Sequence, residues 1–324
     1  MFSLVYKRRL IIALFLLLVV FCADGSVFAF DRQTAAALTR YIMAGIYEKQ
    51  GDIDQAIQEY KNALKADDKN AVIHLALAAA YIKKKQVPSA IEEINRAIAF
   101  DPEAVEPHAI LALLYFSQDK ISEAGKEYER ALRNAAKLDP KNISISKSLG
   151  ILYLQQKDFK SAENTFRSII GISDIDYEAH FYLASCLDEQ KNRDAAVKEL
   201  NKVLELKPDY HQALNYLGYL YVEENKNFDV AEKLIKRALD LEPENGAYID
   251  SLGWLYFKQG KTKAAAKELE RAALLLDDPV IFDHLGDSYF KIQDLAGAKT
   301  NWEKSLKLDP DQAGVKKKLE GLKK

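Results

Sequence analysis

One spacing recurs eight times in this chain and fixes what it can fold into: an apolar residue, then Gly or Ala, then Tyr three positions on. An Ala follows about nine residues later and a Pro about twelve after that. A period near 34 residues does not arise from one globular core. It marks a stack of two-helix units, each burying its apolar face against its neighbours.

The register is read from the sequence. Leu77-Ala78 leads to Tyr81, Ala90, Ala97 and Pro102; Leu111-Ala112 to Tyr115, Ala124, Ala131 and Pro140; Leu149-Gly150 to Tyr153, Ala162 and Phe166. Leu183-Ala184 leads to Leu187, Ala196 and Pro208; Leu217-Gly218 to Tyr221, Ala231, Ala238 and Pro243; Leu252-Gly253 to Tyr256, Ala265 and Ala272. Leu285-Gly286 leads to Tyr289, Ala298 and Pro310, and the first copy, Met43-Ala44 with Tyr47, Ala56 and Ala63, is the most degenerate. This pattern resembles the tetratricopeptide repeat over residues 37–312. The resemblance implies an all-α, right-handed superhelical solenoid of eight helix pairs (37–70, 71–104, 105–142, 143–176, 177–210, 211–245, 246–278 and 279–312), preceded by a lead-in at 30–36.

The spacing has its own physics. A small residue after the apolar one lets the two helices of a pair approach, and the later alanines sit where the second helix meets the next pair. The prolines fall at repeat ends or in first helical turns, where no backbone N–H is needed. The third repeat has about four extra residues before Pro140, one helical turn, so its second helix should run long. An extra residue near Asn225–Phe228 should lengthen a turn only. The fourth repeat has Gly171 and Ser173-Asp174 in place of a closing proline, and a looser joint is expected there.

Residues 1–29 lie outside the repeats. Lys7-Arg8-Arg9 precede an apolar run from Leu10 to Ala23, shorter than the about 20 residues a membrane span needs and suited to a secretory signal. The expected location is therefore the bacterial periplasm, with the mature chain starting near Phe30. The alternative is anchorage to the outer or inner membrane, facing the periplasm. Val19-Val20-Phe21-Cys22 approximates a lipidation box, with Phe21 where a small residue is wanted, so Cys22 is a lipidation candidate. Cys186 is the only other cysteine, and a half-buried packing role is expected for it. At the other end, residues 313–324 place Val315, Leu319 and Leu322 at helical spacing, as a capping helix requires.

Charge and motifs narrow the function. The chain carries a net −2, and removing Lys7, Arg8, Arg9 and Asp24 makes it −4, without the basic stripe that nucleic acid demands. There is no His-Glu-x-x-His, phosphate loop or nucleophile elbow. The expectation is a non-enzymatic protein with no cofactor and no metal. His74, His108 and His180 share one repeat position and read as recurrent packing, while His211 and His284 lie near helix starts with no evident partner.

The resemblance implies that the first helices line an inner wall. By register that wall carries Tyr41; Leu75 and Ile82; Leu113 and Phe116; Ile151 and Leu154; Phe181 and Asp188; Asn215, Tyr219 and Val222; Asp250, Trp254 and Phe257; and Asp283, Asp287 and Phe290. Exposed apolar surface with aromatics marks partner sites. Trp254 and Phe257 read as anchors, and Asp250 and Asp283 as charges selecting an apolar, neutral-to-basic segment of a protein or peptide. The block Asp250-Ser251-Leu252-Gly253-Trp254 is similar to envelope tetratricopeptide proteins of bacteria. That implies a scaffold or adaptor; the alternatives are a tethered assembly factor for an envelope protease, secretin or exopolysaccharide exporter, or a self-associating homo-oligomer.

Overall fold

The computed structural model describes residues 32–322, so residues 1–29 and Cys22 lie outside the described residues. Those described form helices joined by short turns, with no strand among them. In chain order they are α1 (Arg32–Lys49), α2 (Ile53–Leu64), α3 (Ala71–Lys83), α4 (Val87–Phe100), α5 (Val105–Phe116) and α6 (Ile121–Leu138). Next come α7 (Ile143–Gln155), α8 (Phe159–Ile172), α9 (Tyr177–Glu189), α10 (Arg193–Leu206), α11 (His211–Glu223) and α12 (Phe228–Leu241). The last are α13 (Gly246–Lys258), α14 (Thr262–Leu275), α15 (Pro279–Lys291), α16 (Leu295–Leu308) and α17 (Ala313–Gly321). Helix α1 begins at Arg32, so residues 32–36 are helical rather than a lead-in.

The chain divides into two compact units, one ending at Asn134 and one starting at Ala135. The division falls inside α6, which has 18 residues where α4 has 14, so the extra turn expected from the sequence lies at the boundary.

Pairing follows from the small residues. Ala56, Ala90, Ala162, Ala196, Ala231, Ala265 and Ala298 have no exposed surface. A side chain built on Gly150 would come within 2.7 Å of the Phe166 ring, and one on Gly286 would strike the Trp302 indole. Each glycine makes room for a large residue on the second helix of its own pair. In the N-terminal unit the core runs from Ala37 and Ala44 through Tyr60, Ile73 and Leu77 to Ala90, then to Ile94 and Leu111. In the C-terminal unit Leu214, Ile235, Ile249, Leu255 and Leu269 continue the same pattern.

The turn inside each pair is one device used eight times. Gly51, Lys85, Asp119, Lys157, Lys191, Asn225, Gly260 and Gln293 all have positive φ. The next residue's N–H then reaches back to the carbonyl of the repeat's Tyr, as from Gln86 to Tyr81 at 2.9 Å and from Asp158 to Tyr153 at 2.9 Å. This closes the end of the first helix. Asn227 adds a second positive φ in the 225–228 turn, and α11 and α12 stay intact on either side.

The joint after the fourth repeat is closed, contrary to expectation. Helix α8 runs unbroken through Gly171, and the Ser173 N–H donates to the Ile169 carbonyl at 2.8 Å. Phe166 and Ile169 are fully buried there, and Phe166 stacks on Tyr182. Packing by large apolar side chains does what a boundary proline does elsewhere.

Candidate functional site

The recurrent histidines brace the pairs. His74, His108 and His180 each bring Nδ1 to 2.6 Å from a carboxylate on the second helix of their pair: Glu93, Glu127 and Glu199. Their Nε2 atoms face the carbonyls of Asp68, Pro102 and Asp174 in the preceding turns. His211 and His284 do have partners: the Tyr248 hydroxyl at 2.8 Å and Asp250 at 2.9 Å. Cys186 is buried, more deeply than expected, and burial followed by the Glu163 charge pushes its thiol up to about 12. No group of three or more metal-ligating side chains occurs among the described residues. No helix among them is long and apolar enough to cross a membrane.

In the C-terminal unit the first helices are tied to one another by polar bonds about one repeat apart. Lys147 on α7 donates to Asp176 and Glu178, at 3.2 and 2.6 Å, at the start of α9. Asp188 on α9 accepts from the Tyr216 hydroxyl of α11 at 3.0 Å and from Arg193 at 3.3 Å. Glu223 at the end of α11 accepts from the Trp254 indole of α13 at 2.7 Å. Asp250 on α13 meets His284 on α15, and Lys318 on α17 donates to both Asp283 and Asp287, at 2.6 and 2.8 Å. The Trp302 indole also donates to Asp287 at 3.1 Å.

These bonds correct the reading of several wall residues. Trp254 is only 9% exposed, stacks on His284 with ring centres 3.9 Å apart and on Phe257 at 4.9 Å, and spends its N–H on Glu223. Asp250 is 6% exposed and paired, and Val222 is wholly buried in the core. Asp283, expected to select a basic partner, and the wall residue Asp287 are both engaged by the chain's own Lys318. Their register one repeat before α17 made that pairing available, and the sequence reading missed it. Phe181 is half-buried among Tyr182, Tyr210 and Tyr216, and Tyr219 packs beside Trp254 and Val222. Ile151 and Leu154 are half-buried, the Asn215 side-chain oxygen is buried without a partner among the described residues, and Phe290 is exposed.

Two titrations follow from this network. Burial opposes a charge on His284, but the charge and hydrogen bond of Asp250, with the charges of Asp283 and Asp287, outweigh it and hold the ring above its ordinary pKa. Burial raises Asp287 above the usual carboxylate range, against the pull of Lys318.

The N-terminal unit has a different wall. Helices α3 and α5 carry apolar residues around most of their circumference (AVIHLALAAAYIK and VEPHAILALLYF). A helix apolar on every side is stable only when covered on every side. Yet Val72 is 61% exposed, Leu113 70% and Phe116 64%, and Leu38 and Ile42 on α1 are about half exposed. Tyr41 leans on Tyr60, with ring centres 5.7 Å apart, and Leu75 and Ile82 are partly buried against the core. Leu38, Ile42 and Val72 were not among the expected wall residues, although the all-apolar character of α3 signals them. The polar link here is at one end, where Lys83 on α3 donates to Glu48 on α1 at 3.1 Å.

The comparisons with known proteins agree with this architecture. A family model described as tetratricopeptide repeat matches residues 47–114 and 153–217, and a second with the same description matches residues 111–176 and 217–279. No curated protein matches the sequence. Among solved structures, a tetratricopeptide repeat protein from Parabacteroides merdae is 14% identical with a TM-score of 0.51, covering 90% of this chain and 100% of that one. The Cut9–Hcn1 hetero-tetramer of the APC/C is 15% identical with a TM-score of 0.55, covering 88% of this chain and 69% of that one. PilW, described as a widely conserved type IV pilus biogenesis factor, is 18% identical with a TM-score of 0.53, covering 66% of this chain and 98% of that one. At such identities the likeness is one of fold. The matched family segments run without a gap from residue 47 to residue 279, and the chain belongs to the tetratricopeptide repeat family.

Proposed function

We infer that this protein is a non-enzymatic, protein-binding scaffold whose working surface is the apolar face of α1, α3 and α5. Proteins of this family bind protein or peptide partners. The observation that carries the reading is the exposure of Val72, Leu113 and Phe116 on helices with almost no polar side chains. Apolar area of this kind is removed from water by a partner, at about 25 cal/mol per Å². In the C-terminal unit Asp188, Asp250, Trp254 and Asp287 are instead held by bonds within the chain, and Phe290 is the exposed counterpart of Phe116.

Export to the periplasm is part of the proposal and rests on the chemistry of residues 1–29. Mass spectrometry of the protein from its native host tests it: a mature start near Phe30 supports export and cleavage, and a lipid-bearing start at Cys22 supports the tethered alternative. The binding reading is tested by affinity capture from an envelope extract with wild-type protein, Leu113→Ala/Phe116→Ala and Phe290→Ala. A protein recovered by wild type and Phe290→Ala but lost from the double variant supports the wall. Equal recovery by all three overturns it, and light scattering that shows a stable oligomer broken by the double variant transfers the wall to self-association.

A further inference from the structure

The wall of the N-terminal unit contains an open cleft of about 430 Å³ lined in part by Gly45, on α1 one position after the small residue Ala44. A side chain built on Gly45 would meet nothing within 4 Å, unlike those on Gly150 or Gly286, so this glycine does not serve helix packing. It leaves a hollow. Tyr41, Ile42 and Tyr60 form the apolar sides, and Glu48, Lys49 and Lys83 stand around it. The charge balance of the rim is decided by what Glu48 already does. One of its oxygens accepts from the Tyr60 hydroxyl at 3.0 Å and the other from Lys83 at 3.1 Å. Its charge is spent within the wall, and exposed Lys49 leaves the rim positive.

We propose that the Gly45 cleft is a specificity subsite that takes a leucine- or phenylalanine-sized side chain of a partner segment carrying acidic residues beside that side chain. The cleft has room for such a side chain between Tyr41, Ile42 and Tyr60, and exposed Lys49 stands at its rim where it can meet a carboxylate. This deepens the reading of the N-terminal wall and rests on it. It also reverses the partner charge expected from the sequence, because the acids behind that expectation are neutralised by Lys318 and His284. A second copy of the chain is the competing occupant, since Leu274 is 87% exposed.

The test is a fluorescence-anisotropy titration of the purified protein with two labelled peptides that share one Leu/Phe pattern, one flanked by glutamates and one by lysines. The glutamate peptide should bind about fivefold more tightly, and Lys49→Glu should erase that preference. Gly45→Leu should weaken the glutamate peptide about tenfold while raising the thermal midpoint, because leucine fills open space and favours helix over glycine. That combination separates lost binding from lost folding. Unchanged affinity in Gly45→Leu, a preference for the lysine peptide, or no binding of either overturns the subsite. If Leu113→Ala/Phe116→Ala loses the peptide and Gly45→Leu keeps it, the subsite fails and the wall stands; if both variants keep it, both readings fail. An oligomer seen by light scattering and dispersed by Gly45→Leu or Leu274→Glu assigns the cleft to a second copy and overturns the peptide occupant.

Discussion

The two units repeat one helical pair and use its inner side in opposite ways. From α7 to α17, each first helix gives a polar side chain to the next: Asp188 to Tyr216, Glu223 to Trp254, Asp250 to His284, Asp287 to Lys318. From α1 to α5 the first helices instead offer Ile42, Val72, Leu113 and Phe116 to solvent. The turn, the small-residue packing and the His–Glu brace of His74 and His180 are common to both. A shared scaffold therefore leaves the inner side chains free to specialise. Polar groups satisfied across repeats add stiffness, and apolar groups left open store binding free energy.

The comparison breaks most visibly if the polar ladder is dispensable. Asp250→Ala leaves His284 buried beside an empty position and should cost about 3 kcal/mol, read as a lower urea midpoint. A loss under about 0.5 kcal/mol, the range of ordinary surface changes, would reduce the ladder to decoration. In the N-terminal unit, Leu113→Ala and Phe116→Ala should do the reverse. Each changes stability by less than about 0.5 kcal/mol and weakens partner binding by about 2 kcal/mol, roughly 30-fold in Kd.

Acidity sharpens the contrast. The folded pKa of His284 lies above its ordinary 6.5, so its contribution is complete below pH 6.5 and is lost as pH rises through the folded value. Asp287 is also raised, from 3.8, and acts with the same sign over a lower window. Asp250→Asn should therefore cost more stability at pH 6 than at pH 9, measured by paired urea titrations. An equal cost at both values would remove the charge from the His284–Asp250 pair. The smallest effect tests what the units share. Lys85 and Lys157 hold positive φ in equivalent turns, and Lys85→Gly and Lys157→Gly should each stabilise by about 0.5 to 1 kcal/mol. Unequal gains would mean that the turns are not one device.

The fold was legible because its determinants are local. Leu217-Gly218-x-x-Tyr221 states which residue must be small and which carbonyl will close the helix, and Ala231 follows within the same pair. The wall was less legible because its determinants lie one period away. Trp254 reads as an exposed anchor until Glu223, 31 residues earlier, takes its N–H, and Asp287 reads as a lure for cations until Lys318 is placed beside it. Pairing opposite charges at a separation of one repeat would have found the second, and pairing donors with acceptors at that separation the first. Gly45 was hidden for another reason: a glycine that makes room for a neighbour and one that leaves a hollow look alike in sequence, and only the space around the missing side chain separates them.

The most direct measurement places a photo-crosslinking amino acid at Val72, at Phe116 and at Phe290 in turn, and irradiates each protein with its captured partner bound. The account predicts adducts from positions 72 and 116 and none from 290. Adducts from position 290 alone would contradict it and move the working surface to the C-terminal unit.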